Sequence, residues 1–246
     1  MRNPFQHLYE PAINHQTGGF SFVYLVKDIS EDEQGNGSSS HAESVPPNAD
    51  HLVLKITSIH SRQQRDIAEK EAKLLSRLSH PSIVRMLDSC YRSIPTPIPD
   101  EIQQRVNKPI KYTSRPQHLI LMEYCEGGTA LSVCNQLKNN NTMFDLQSLI
   151  IAFGQICNAV SYLHAQRPPI VHRDLKPVNF LVKNGAYKLC DFGSAVFGHV
   201  DLRTSRARSE AEEVIEKTTT QMFRSPEMVD LYMAKKLTQR CVVVVM

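Results

Sequence analysis

Apolar and polar positions along this 246-residue chain follow two different rhythms. Runs rich in aromatic and β-branched residues predict strands at Phe20–Lys27 (FSFVYLVK), Leu52–Thr57 (LVLKIT) and Leu119–Tyr124 (LILMEY). Between the second and third, Arg62–Ser79 predicts a helix, because Ile67, Leu74, Leu75 and Leu78 share one face. Thr142–His164 predicts a longer helix, apolar at Leu146, Leu149, Ile150, Phe153, Ile156, Val160 and Leu163. Thr142 and Asp145 are placed to form a variant capping box at its start. Val178–Val182 and Tyr187–Cys190 predict short strands flanking a Lys183–Gly185 turn. The order, strands with one helix and then a long helix with a hairpin, implies an α+β protein with a sheet-rich part followed by a helical part.

Two segments break the pattern. Residues 30–50 are Gly/Ser/Pro-rich and carry five carboxylates with no Lys or Arg, which predicts a disordered insertion. Residues 92–117 carry five prolines and little periodicity, and are expected to be a second insertion.

Composition narrows the function classes. The chain is 41% hydrophobic and 22% charged, long enough for one large domain or two lobes. A net charge of +3 is too small to argue for nucleic-acid or membrane-surface binding. No uninterrupted apolar run nears the roughly 20 residues of a membrane span, so no direct membrane insertion is expected. The start lacks an apolar signal core, and Arg2 after Met1 excludes myristoylation. Six cysteines, at 90, 125, 134, 157, 190 and 241, include no Cys-x-x-Cys pair, which disfavours zinc and thioredoxin-type chemistry. Reduced thiols and a cytoplasmic location are expected.

The chemistry concentrates in His172-Arg173-Asp174-Leu175-Lys176-Pro177-Val178-Asn179, followed twelve residues later by Asp191-Phe192-Gly193. Asp174, Asn179 and Asp191 put three oxygen donors on either side of one short hairpin. Such a set can hold a hard cation and a substrate hydroxyl together. Upstream, Lys55 lies mid-strand, and Glu71 falls on the apolar face of the Arg62–Ser79 helix. A lone inward carboxylate costs several kcal/mol unless paired, and Lys55 is its nearest sensible partner. Taken alone, that pair could be purely structural.

These residues resemble the catalytic and metal loops of eukaryotic protein kinases. The resemblance implies a bilobal protein-kinase-like fold, with ATP and Mg2+ as cofactors and a protein substrate. It implies that Asp174 accepts the proton of the substrate hydroxyl and that Lys176 neutralises the transferred phosphoryl group. It makes Asn179 and Asp191 the metal ligands, and sets Lys55, held by Glu71, on the α- and β-phosphates. Lys176, two residues after Asp174, resembles the serine/threonine class. Gln16–Val23 aligns with the glycine-rich phosphate loop but keeps only Gly18 of its three glycines; Gly18, Gly19 and Val23 are the expected nucleotide contacts. Met122 falls at the gatekeeper position, and Glu123, Tyr124 and Cys125 at the hinge that would hold adenine. Cys190, next to Asp191, reads as a small buried hydrophobe facing the nucleotide.

The Gly-Gly-Phe-Ser-x-Val run from Gly18 is similar to the Numb-associated kinase family, which includes the cyclin-G-associated and adaptor-associated kinases. Thr218-Thr219-Thr220-Gln221-Met222-Phe223-Arg224-Ser225-Pro226-Glu227, the Met228–Tyr232 tail (MVDLY) and an acidic helical turn at 210–217 fit the same branch. The resemblance places Thr220 beside Asp174. It makes a clathrin-adaptor subunit the expected partner, with no nucleic acid. It divides the chain into an extension (1–11), an N-lobe (12–124), a partial C-lobe (125–240) and an atypical tail (241–246). Beyond Arg240 the expected Asp- and Trp-bearing helix does not follow, nor does the arginine that would pair with Glu227. The helical lobe is therefore expected to be incomplete while the β-rich lobe is complete. Three readings remain: an active protein serine/threonine kinase, a catalytically impaired fragment acting as a binding or regulatory module, or an unstable product with no role of its own.

Overall fold

Antiparallel strands open the chain and set the first functional lysine. A computed structural model describes residues 8–9, 14–17, 21–28, 51–97 and 112–239. Strands β1 (Leu8–Tyr9), β2 (Asn14–Thr17), β3 (Ser21–Asp28) and β4 (His51–Ser58) precede helix α1 (Arg62–Leu75). Strands β5 (Met86–Pro97) and β6 (Tyr112–Glu123) follow. They form one sheet in the order β1-β3-β4-β6-β5, with β2 also on β3. Side chains alternate across it. Val26, Leu54, Ile56, Leu119 and Leu121 cluster on one face. Val23, Lys55 and Ile120 lie directly opposite one another in neighbouring strands, on the other face.

The expected insertion at 92–117 is corrected at both ends. Residues 92–97 and 112–117 continue the β5–β6 ladder, pairing from Arg92↔Gln117 to Pro97↔Tyr112. Pro95, Pro97 and Pro116 are tolerated because β5 is the edge strand, and because β4 pairs with β6 only from Gln117 onward. Each proline's missing N–H therefore costs no ladder bond on that open side. Residues 98–111 lie outside the described residues, as do the expected insertion at 30–50 from residue 29 on, the tail at 241–246, and Gly18 and Gly19.

Helix α1 begins where Ser61 Oγ accepts the Gln64 N–H at 3.2 Å and Gln64 Oε1 accepts the His60 N–H at 2.7 Å. It buries Ala68, Glu71, Ala72, Leu74 and Leu75. The helix stops four residues before the expected Ser79, and Leu78, buried, lies beyond it.

The chain divides into two compact units, one comprising Met1–Ser76 with Met86–Tyr124 and the other Arg77–Arg85 with Cys125–Met246. The excursion at 77–85 departs from the expected continuous 12–124 lobe, and its contacts show why. Val84 N–H donates to Leu189 O and Leu189 N–H to Ser82 O, both at 2.9 Å. The His80 ring stacks on Tyr162 at 4.7 Å.

In the second unit, α2 (Ala130–Asn139) is opened by a reciprocal box between Thr129 and Ser132. Helix α3 (Leu146–His164) starts four residues after the expected Thr142, because Asp145 is its cap and accepts the Ser148 N–H at 2.9 Å. Thr142 instead bonds back to Leu137 O. Helix α3 packs on β7 (Ile170–Val171) and on the hairpin strand β9 (Ala186–Leu189), which pairs with β8 (Phe180–Lys183). It does so through Ala152, Ile156, Ala159 and Leu163. The expected stripe is only partly buried, since Leu146 is 72% and Ile150 61% exposed. Among the described residues α3 is the one helix long and apolar enough, by length and composition alone, to cross a membrane. The β8–β9 turn has left-handed Asn184 and Gly185 (φ 49° and 74°), the backbone a two-residue hairpin needs.

Strands β10 (Val196–Phe197) and β11 (Val200–Asp201) lead into α4 (Ser205–Thr218), then α5 (Pro226–Val229) and β12 (Lys236–Leu237). Leu202, Ala211, Ile215, Met228, Leu231 and Leu237 form a core there. Helix α4 is longer than the expected acidic turn at 210–217, because Thr204 Oγ1 caps it by accepting the Ala207 N–H.

Candidate active site

The first unit contributes the lysine–glutamate pair. Lys55 Nζ donates to Glu71 Oε1 at 2.7 Å, with Glu71 only 5% exposed. The strand register puts Lys55 on the sheet face that α1 covers, and the helical period turns Glu71 toward it. Burial strengthens the attraction, and the pairing removes the penalty of an isolated carboxylate. Val23 stands beside Lys55 on the same face. Glu123, the last residue of β6, is buried, as is Cys125, and Met122 pairs with Val53 and Met86.

The second unit carries a separate group of the expected residues. Asp174 is buried, and its carboxylate is held on both oxygens. Oδ1 accepts the Thr220 N–H at 2.9 Å, and Oδ2 lies 2.7 Å from Lys176 Nζ. Lys176 Nζ also donates to Thr220 Oγ1 at 2.6 Å, so one ammonium bridges the carboxylate and the hydroxyl. Asn179 Nδ2 donates to Asp174 O at 2.8 Å and to Oδ2 at 3.3 Å.

Backbone clamps join the two loops. Cys190 N–H donates to Asn179 O at 2.9 Å, and Cys190 O accepts from His172 Nε2 at 3.0 Å. His172 is buried, and burial holds its imidazole below the usual value, so the ring is neutral. A proton on Nε2 then leaves Nδ1 to accept the Asp174 N–H, a long contact of 3.4 Å. The Phe192 ring meets His172 edge-on at 5.0 Å. Arg173 takes a left-handed backbone (φ 67°) and donates from Nε to Ser194 O at 2.7 Å. Burial lowers the guanidinium to about 10. Ser194 Oγ in turn donates to Thr218 O. The Cys190 peptide and the Ser194 carbonyl had no signal in the sequence pattern, because both act through main-chain atoms.

Asp191 is exposed and also left-handed (φ 61°), the conformation that turns the chain just after the clamp. Among the described residues no group of three or more His, Cys, Asp or Glu side chains converges to enclose a metal. A magnesium ion suits such a place, because it keeps several waters and takes few protein oxygens. Asn179 and Asp191 fit that role: both are hard oxygen donors, and the Asn179 amide is oriented by Asp174. After the first unit, Gly127 N–H donates to Val182 O and Val182 N–H to Gly128 O. A Cβ at Gly127 would stand 2.7 Å from Val182 Cγ1, so the approach needs glycine there.

Comparison with known proteins bears on both groups of residues. The model of the protein kinase domain family matches residues 30–241. Two probable serine/threonine-protein kinases of Dictyostelium discoideum are 31% and 32% identical over 226 residues, which is 91% of this chain. Actin-regulating kinase 1 of Saccharomyces cerevisiae is 35% identical over 133 residues, 53% of this chain. The chain spans 17%, 24% and 20% of the length of these three curated relatives.

Proposed function

Because this chain belongs to the protein kinase family, we propose that it transfers the γ-phosphoryl group of ATP to a serine or threonine hydroxyl of a protein substrate. The observation that carries this reading is the Asp174–Lys176–Thr220 triangle. In phosphoryl transfer the protein mainly positions groups and stabilises charge. Asp174, pinned by the Thr220 N–H, orients the acceptor hydroxyl and takes its proton. Lys176 supplies the positive charge that the transferring oxygens need. The Lys55 ammonium, kept in place by Glu71, serves the nucleotide's phosphates. Asn179 and Asp191 would hold Mg2+, which would supply positive charge to the nucleotide's phosphates.

The finer placement in the Numb-associated branch is supported by the Gly18–Val23 run and the Met228–Tyr232 tail. Under that placement a clathrin-adaptor subunit is the substrate and the cytoplasm the place of action. The test is twofold. ATP with Mg2+ should raise the melting temperature, and phosphate should pass to Ser- or Thr-peptides and not to Tyr-peptides. Binding without transfer would make the chain a nucleotide-binding module instead; neither binding nor transfer would overturn the reading.

A further inference from the structure

The lysine–glutamate pair depends on the register of α1, and two aromatic side chains lie on the strands against which α1 packs. Two rings lie side by side on β5 and β6: Tyr91 pairs directly with His118, their centroids 4.6 Å apart. His118 lies two residues before Ile120 on β6, so it shares the Lys55 face of the sheet. Helix α1 packs on both strands. From its first turn, Arg65 sets its guanidinium 5.1 Å above the Tyr91 ring. Arg65 is tied one turn on to Glu69 at 3.3 Å. Glu69 is close enough that, after burial, its charge is the next cause raising the Tyr91 phenol.

His118 is 3% exposed, and both its Nδ1 and Tyr91 Oη are buried without a well-formed partner. Two orphaned polar atoms are a cost, and ring area and the cation above it are what offsets that cost. A polar pair kept in this place at this cost acts as a seat.

We propose that Tyr91 and His118 are positioning residues: their paired rings, tilted 40° to one another and clasped by Arg65, seat α1 at the register in which Glu71 meets Lys55. The inference borrows its kinetic consequence from the phosphoryl-transfer reading, but its test does not. The readout is the acylation rate of Lys55 by acetic anhydride, measured by mass spectrometry against Lys73, which is exposed on the same helix. An ammonium held by Glu71 acylates slowly, and Glu71→Gln sets the fast limit.

Tyr91→Ala should raise the Lys55 rate toward that limit, by about threefold or more, and the exposed Arg65→Gln by about twofold. Tyr91→Phe keeps the ring and should stay at the wild-type rate. Because the seat acts through Glu71, adding Tyr91→Ala to Glu71→Gln should change nothing further. A purely structural role predicts additive effects, with Lys73 and Lys55 moving together. Wild-type Lys55 acylation in folded Tyr91→Ala, or additivity in the double variant, overturns the proposal. If Tyr91→Ala fails to melt cooperatively, Arg65→Gln decides: an unchanged rate there overturns it as well. Should phosphoryl transfer be absent from the wild type, the kinase reading falls while these rates still judge the seat.

Discussion

The Lys176 ammonium sits 2.7 Å from Asp174 Oδ2 and 2.6 Å from Thr220 Oγ1, and the Thr220 N–H on Asp174 Oδ1 closes a triangle across two loops. The lysine is thus fixed before any substrate arrives, which is how a charged group acts on a transition state without reorganising. Replacing it with methionine should lower kcat by roughly a hundredfold, the scale of one preorganised electrostatic donor. The KM for ATP should move little. Steady-state kinetics in both substrates checks this.

Thr220 contributes two separable contacts, an N–H to Asp174 and a hydroxyl to Lys176. Thr220→Ala removes only the second, so activity should fall by about tenfold, the scale of one charged hydrogen bond. Thr220→Ser should restore most of it. A proline at 220 removes the N–H and should cost more than alanine. Comparing the three kcat/KM values separates the two roles.

Glu71→Ala leaves Lys55 without this counter-charge. Breaking a buried pair typically costs about 3–5 kcal/mol, and the lower end applies because the Lys55 side chain keeps 14% of its surface. Urea unfolding should show a midpoint shift in the first unit, accompanied by a raised KM for ATP.

Acid should weaken the fold through His118. Burial lowers its imidazole from 6.5 to about 4. The unfolded chain therefore takes up the proton first as pH falls. The stability that the neutral ring provides is present above pH 6.5 and is lost as pH drops from 6.5 toward 4, by about 3 kcal/mol in all. Chemical denaturation across that range should show the slope, and His118→Gln should flatten it. His172, also shifted down by burial, adds to the same trend.

Gly127 faces Val182 so closely that a methyl group would meet Cγ1 at 2.7 Å and Cβ at 2.8 Å. Gly127→Ala should destabilise by about 1–3 kcal/mol, as overpacking does. Thermal melting measures it directly.

Much of this site is legible in the residues because chemistry and period agree there. A carboxylate on an apolar helix face needs a partner, and the nearest sensible one is the strand lysine Lys55, which it meets at 2.7 Å. The loop motif likewise identifies Asp174, Lys176 and Asn179 before any fold is known. What resists reading is set by main-chain geometry. Left-handed Arg173 and Asp191, and the double grip on the Cys190 peptide, leave no trace in hydrophobic pattern. Helix α3 offers Thr142 and Asp145 as equally good caps, and only the fold selects Asp145. The proline-rich flanks of β5 and β6 look like a loop because a sequence does not say which strand lies at an edge. Helix α1 ends at Leu75 with no glycine or proline to mark it, so a further buried leucine, Leu78, reads as part of its face.

The most direct measurement is transfer of labelled phosphoryl from ATP, with Mg2+, to a threonine peptide by wild type and Asp174→Asn, with phosphoamino-acid analysis of the product. The account predicts label on threonine, at a rate that falls roughly a thousandfold when the carboxylate is lost. Equal rates from the two proteins, or label carried on tyrosine, would contradict it.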